Sequence, residues 1–132
     1  MTDGITALIN SSKGRVTVEQ VSFYGDHHLQ LIHAVIIPIR YDSIGYSAGW
    51  PPAQFRNLPG VQWDKRVPAA GARLPPGLRL RNRRNLVIAM RPTARKGISA
   101  GVQVLYREDG RQYELRTHTK TVVVVARTAF GC

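Results

Sequence analysis

"GVQVLYREDGRQYELRTH", residues Gly101 to His118, decides the fold. Its two alternating halves meet at Asp109-Gly110, residue types that tolerate the positive φ angles of a two-residue hairpin turn. The hairpin therefore pairs Gly101–Arg107 with a return strand that starts at Gln112. That strand is expected to run on to Ala126, because the four consecutive valines Val122 to Val125 ask for cover on both faces. Strands of such length often bend or pass from one sheet to another.

Upstream, "NLVIAM" (Asn85 to Met90) reads as a short strand stopped by Pro92, which cannot donate to a ladder. In "LQLIHAVIIPI" (Leu29 to Ile39), strict alternation places Leu29, Leu31, His33, Val35, Ile37 and Ile39 on one face. Ile32, Ala34 and Ile36 take the other, so this strand is expected to be central, covered on both sides until Pro38, with His33 in the core. "RVTVEQVSF" (Arg15 to Phe23) sets Val16 and Val18 together, and Val21 and Phe23 join them only if a β-bulge adds a residue near Glu19 and Gln20. "ITALIN" (Ile5 to Asn10) is a further short strand, closed by the turn "NSSKG" with Gly14.

From Arg40 to Arg84 no clear strand can be read. This stretch holds six of the eight prolines and five of the ten aromatics: Tyr41, Tyr46, Trp50, Phe55 and Trp63. A connection so long is where function or a partner contact usually sits, although its rings can equally pin the loop onto the sheets beneath. Helix-period stripes are absent. The pattern predicts one all-β domain spanning residues 1–132, an antiparallel two-sheet immunoglobulin-like sandwich with one long irregular connection. A partly open barrel is the alternative.

The order of "VTVEQVSF", "LIHAVIIPI", "LPPG", "NLVIAMRPT" and "GVQVLYREDGRQYELRTHT" resembles that of β-sandwich domains in actinobacterial cell-envelope proteins, and of bacterial immunoglobulin-like modules generally. The resemblance implies a module that binds or spaces other components outside the cytoplasm, after loss of a leader or anchor. It rests on strand and turn patterns. The cysteine pair of antibody-type domains and the tryptophan packed on it have no counterpart, so no site residue carries over.

The net charge of +11 is unevenly placed. Eleven basic residues and no acidic one fall between Lys65 and Arg107, while the rest of the chain is balanced. Such a block attracts nucleic acid, anionic lipid or an acidic protein surface, with a pull that weakens in salt. Only four of the nineteen basic residues are lysine, a bias that a GC-rich coding sequence also produces. In "LRLRNRR" the arginines alternate as on a sheet-edge strand, where they could follow phosphates or simply block strand addition by another molecule.

Catalytic patterns are missing: there is no phosphate-binding glycine loop, nucleophile elbow or metalloprotease helix. His27 and His28 beside Asp26 read as solvated turn residues, since adjacent residues face opposite ways and a third metal ligand is not at hand. Cys132 is the only cysteine, which excludes an intrachain disulfide. The sequence carries no signal-peptide pattern and no run of eighteen apolar residues, so no membrane span is expected. Its compartment is the cell envelope or exterior if a leader has been removed, and otherwise the cytoplasm.

The expected function is that of a non-catalytic binding or assembly module without cofactor. It would contact a protein partner or copies of itself through Tyr46, Trp50, Phe55 and Trp63. The alternative is a basic β-domain that binds nucleic acid or another polyanion through the segment 73–96, with Arg79, Arg81, Arg83, Arg84, Arg95 and Lys96 as contacts.

Overall fold

The computed structural model describes residues 1–4, 7–8, 10, 14–39, 45–47, 49–52, 58–77 and 82–125. Among these, β1 (Thr2–Gly4) and β2 (Ala7–Leu8) precede β3 (Val16–Tyr24) and β4 (Leu29–Pro38). Next come β5 (Gly45–Ser47), a 3-10 turn (Trp63–Lys65), β6 (Val67–Pro68) and β7 (Arg73–Leu74). β8 (Arg84–Pro92), β9 (Lys96–Ser99), β10 (Gly101–Glu108), β11 (Arg111–Arg116) and β12 (Thr121–Val124) follow. The protein is all-β, and every pairing between these strands is antiparallel. Among the described residues no helix is long and apolar enough to cross a membrane.

One sheet runs β5-β1-β8-β4-β6, with β2 also on β8; a second runs β11-β10-β3-β7; β12 and β9 form a separate pair. The sheets share a core. Val16, Val18, Val102 and Val104 come from the second sheet, Leu29, Ile36, Leu86, Ile88 and Met90 from the first, and Val123 from β12. A smaller cluster lies on the other face of the first sheet, where Val35, Ile37, Ile39 and Val87 meet Val61, Trp50 and Trp63. β4 and β8 are thus covered on both sides, as the apolar runs Ala34–Ile37 and Leu86–Met90 require.

The hairpin forms as its turn residues dictate, with Asp109 at φ 49° and Gly110 at φ 77°. The bulge in β3 also forms: Leu105 pairs with Gln20 and Tyr106 with Val18, leaving Glu19 as the extra residue. Its carboxylate accepts from Arg107 Nε at 2.6 Å and from Gln112 Nε2 at 2.9 Å, so the bulged residue bridges three strands. The hydrogen bond from Arg107 holds the Glu19 carboxyl below its ordinary value of 4.5. Because the folded value is the lower one, this bridge stabilises fully above about pH 4.5 and is lost as pH falls through the folded value. The midpoint of unfolding of wild type is therefore expected to exceed that of Glu19→Gln at neutral pH, and the gap to close in acid.

Four readings of the sequence need correction. A second bulge, at Ile32, shifts the register of β4 between Leu31 and His33. It moves Leu29 and Leu31 to the side of Ala34 and Ile36, and leaves His33 exposed at the end of the Val35, Ile37, Ile39 face rather than in the core. The return strand does not run unbroken to Ala126: it ends at Arg116, and the chain resumes as β12 beside β9. The valines are covered on one side only, with Val123 at 8% exposure against 43% for Val122 and 64% for Val124, because β12 has one neighbour and one face on the core. Finally, β5, β6 and β7 lie within the stretch read as strandless; at two or three residues each they are too short to display alternation.

Candidate functional site

The chain passes from the first sheet to the second along β6 and β7, and this crossing builds the most articulated surface of the described residues. Val67 of β6 pairs with Ile36, and Ala69 donates to the Ala34 carbonyl at 2.9 Å. The backbone then turns through Gly71, at φ 87°, where a side chain would be strained, and Gly71 and Ala72 bond to Val18 of β3. Cavities open on both sides of β6.

The first, of about 350 Å³, has an apolar floor that includes Ile36 and Ala72 and is bordered by Lys65, Arg73 and Arg84. No acidic residue appears on its described lining. The three cations come from three places: the end of the 3-10 turn, the start of β7 and the start of β8. Lys65 and Arg73 are exposed, whereas Arg84 is half-buried and donates to the Arg83 carbonyl at 3.0 Å. Burial pulls the Arg84 guanidinium below its ordinary value, yet an arginine stays charged at neutral pH. The groove therefore concentrates positive potential over an apolar base.

The second cavity, about 390 Å³, is lined by His33, Asp64, Arg66 and Val67 among others. Beside it, Trp50 stacks on exposed His33 with ring centroids 5.2 Å apart and meets Trp63 edge-on at 5.3 Å. Trp63 is 9% exposed, and Arg66 covers its ring with the guanidinium carbon 5.2 Å from the centroid. These rings thus serve first to seat the long connection on the outer face of the first sheet.

Of the aromatic candidates, Trp50 is half-buried, Trp63 is buried, and Tyr46 lies in β5 with its backbone opposite Asp3. The Tyr46 side chain and all of Phe55 lie outside the described residues, as do Arg79 and Arg81 and most of the expected edge strand. Arg84 opens β8, an interior strand flanked by β1, β2 and β4. Arg95 and Lys96 are exposed past the far end of β8, roughly 26 Å from Arg84 by the rise of a strand. Among the described residues of the segment 73–96, Arg84 therefore lies far from Arg95 and Lys96. Instead Arg73 and Arg84 converge with Lys65, which belongs to the basic block of the sequence but was not among the expected contacts. Only the crossing of β6 and β7 brings these three together, and two-residue strands leave no periodic signal by which to foresee it.

His27 and His28 are exposed in the turn before β4, and among the described residues no three His, Cys, Asp or Glu side chains gather to hold a metal ion. Compared with protein-family models, curated proteins and solved structures, the chain matches none.

Proposed function

We propose that this protein is a non-catalytic β-domain, closed in the manner of an immunoglobulin-like sandwich, that binds a polyanion in the groove between β6, β7 and β8. The supporting observation is the convergence of Lys65, Arg73 and Arg84 on one groove whose described lining holds no acid. Guanidinium groups suit phosphate or sulfate because they donate two parallel hydrogen bonds. The apolar floor would hold the carbon framework between charges.

Binding to heparin and to a mixed-sequence DNA duplex, followed by fluorescence anisotropy across salt concentrations, tests this reading. Affinity is expected to fall steeply as salt rises. The double variant Lys65→Ala, Arg73→Ala alters two exposed side chains, so it should fold normally and bind more weakly. Its log-log salt slope on DNA is expected to be shallower by about 1.8, roughly 0.9 for each phosphate that is no longer neutralised. An unchanged affinity and slope would end the proposal. Arg95→Ala with Lys96→Ala removes the same charge away from the groove and is expected to do less.

A second reading is favoured by the His33–Trp50 stack. It makes the rim of the second cavity a contact for a protein partner, reached through an aromatic surface. Such a contact should persist at high salt and weaken on Trp50→Ala.

A further inference from the structure

β11 is the outermost strand of its sheet, and each of its six residues is exposed. A two-residue turn makes Glu108 and Arg111 a hydrogen-bonded pair, so alternation along the hairpin turns the backbone groups of Arg111, Tyr113 and Leu115 toward β10. Thr117, whose N–H donates to the Val102 carbonyl at 2.9 Å, keeps the same phase. The backbone amides and carbonyls of Gln112, Glu114 and Arg116 are left directed at the open edge.

The side chains sort just as sharply. Tyr113 stands opposite Tyr106 and Leu115 opposite Val104, on the side of the sheet that faces the core. Tyr113 stacks on Tyr106 with centroids 5.4 Å apart, yet it stays 41% exposed and Leu115 48%, beyond the cover given by the other sheet. The opposite side carries Gln112, Glu114 and Arg116, and Glu114 already pairs with Arg116 of its own strand at 2.5 Å. Charges on an edge commonly prevent strand addition. Here the signs alternate, so one register makes the edge complementary to itself.

We infer that β11 pairs antiparallel with β11 of a second copy about a two-fold axis at Leu115. In this register Leu115 meets Leu115 of the other copy, and Tyr113 meets its Thr117. Glu114 lies opposite Arg116 of the other copy, twice by symmetry, so each carboxylate sits between two guanidinium groups. Shifting the axis to residue 114 would set the two Glu114 side chains against each other. A shift of one residue in the pairing would mix the apolar and charged faces, which disfavours it. The resulting interface is isologous and joins two four-stranded sheets into one continuous sheet.

Solution mass across a concentration series, at moderate salt to screen the net charge, tests the inference. Wild type is expected to reach twice the chain mass. Glu114→Arg alone and Arg116→Glu alone each place like charges across the axis twice and are expected to weaken dimerisation roughly tenfold or more. Mixed in equal amounts, these two variants regain complementarity at both contacts and are expected to form a one-to-one heterodimer. A purely intrachain role for the Glu114–Arg116 pair would not produce that recovery. In a Cys132→Ser background, Leu115→Cys is expected to give an oxidised dimer, because its counterpart lies directly opposite. Tyr113→Cys, with counterparts roughly 13 Å apart in this register, is not. A wild type that stays monomeric throughout, or a dimer indifferent to both charge reversals, would overturn the pairing.

Discussion

Gly101→Ala is expected to lower the stability of this protein by about 3 kcal/mol, at the upper end of what an overfilled core site costs. Gly101 lies opposite Tyr24 in the β3–β10 ladder, and the tyrosine ring covers it. The Tyr24 hydroxyl donates to the Thr117 carbonyl, while the Thr117 hydroxyl oxygen accepts from the Val102 N–H at 2.9 Å. A methyl group at position 101 would meet the ring edge at 2.7 Å and the hydroxyl at 2.8 Å, and would press on the Thr117 carbonyl as well. A ring can tilt, but that carbonyl belongs to the backbone where the chain leaves β11 for β12. Urea unfolding of the variant measures the loss, and a value within about 0.5 kcal/mol of wild type, the usual range of a harmless surface change, would contradict this account. Tyr24→Phe removes only the hydroxyl bond and is expected to cost about 1 kcal/mol. Combined with Gly101→Ala it should be less than additive, since the two changes share a contact.

Leu86→Ala is the second substitution with a large expected effect. Leu86 has no solvent exposure and sits on β8 in the cluster that joins the two sheets. Deleting its isobutyl group loses transfer energy and leaves a cavity, together about 2–5 kcal/mol. For a domain whose whole stability is on the order of 5–15 kcal/mol, that is a large fraction. Val122→Ala is the matched contrast: the side chain is 43% exposed on the outer face of β12, and the change is expected to stay within about 0.5 kcal/mol. If Val122→Ala cost as much as Leu86→Ala, the one-sided burial of β12 would be wrong.

The strands visible in the sequence are those long enough to carry their own pattern. The Asp109-Gly110 turn, the extra residue at Glu19 and the two-sided apolar run of β4 were all readable, because local backbone chemistry or alternation specifies each. What escaped was decided at a distance. The bulge at Ile32 breaks no visible pattern, since both faces of β4 are apolar and a shift from one to the other leaves the alternation intact. Only the fate of His33, moved from the core to the surface against Trp50, records it. β9 is four residues with glycine at its second place, Gly97, where a side chain would collide with the His28 carbonyl. That requirement belongs to a neighbour 69 positions away in the chain. Likewise Arg73 and Arg84 were readable as basic, but their meeting with Lys65 depends on where β6 and β7 cross.

β8 also has a bearing on the order of events in folding. β1, β2 and β4 all pair with it, and Asn85 within it donates to the Gly4 carbonyl at 2.8 Å across 81 positions. Until β8 has been synthesised, three earlier strands lack the neighbour they are shaped to meet. Loops of that size must close before their contacts repay the entropy, which makes such a chain a slow folder compared with one built from local hairpins. Of the three, β4 is the longest and presents the most apolar surface, and on the ribosome this is the stretch that a chaperone would have most reason to hold.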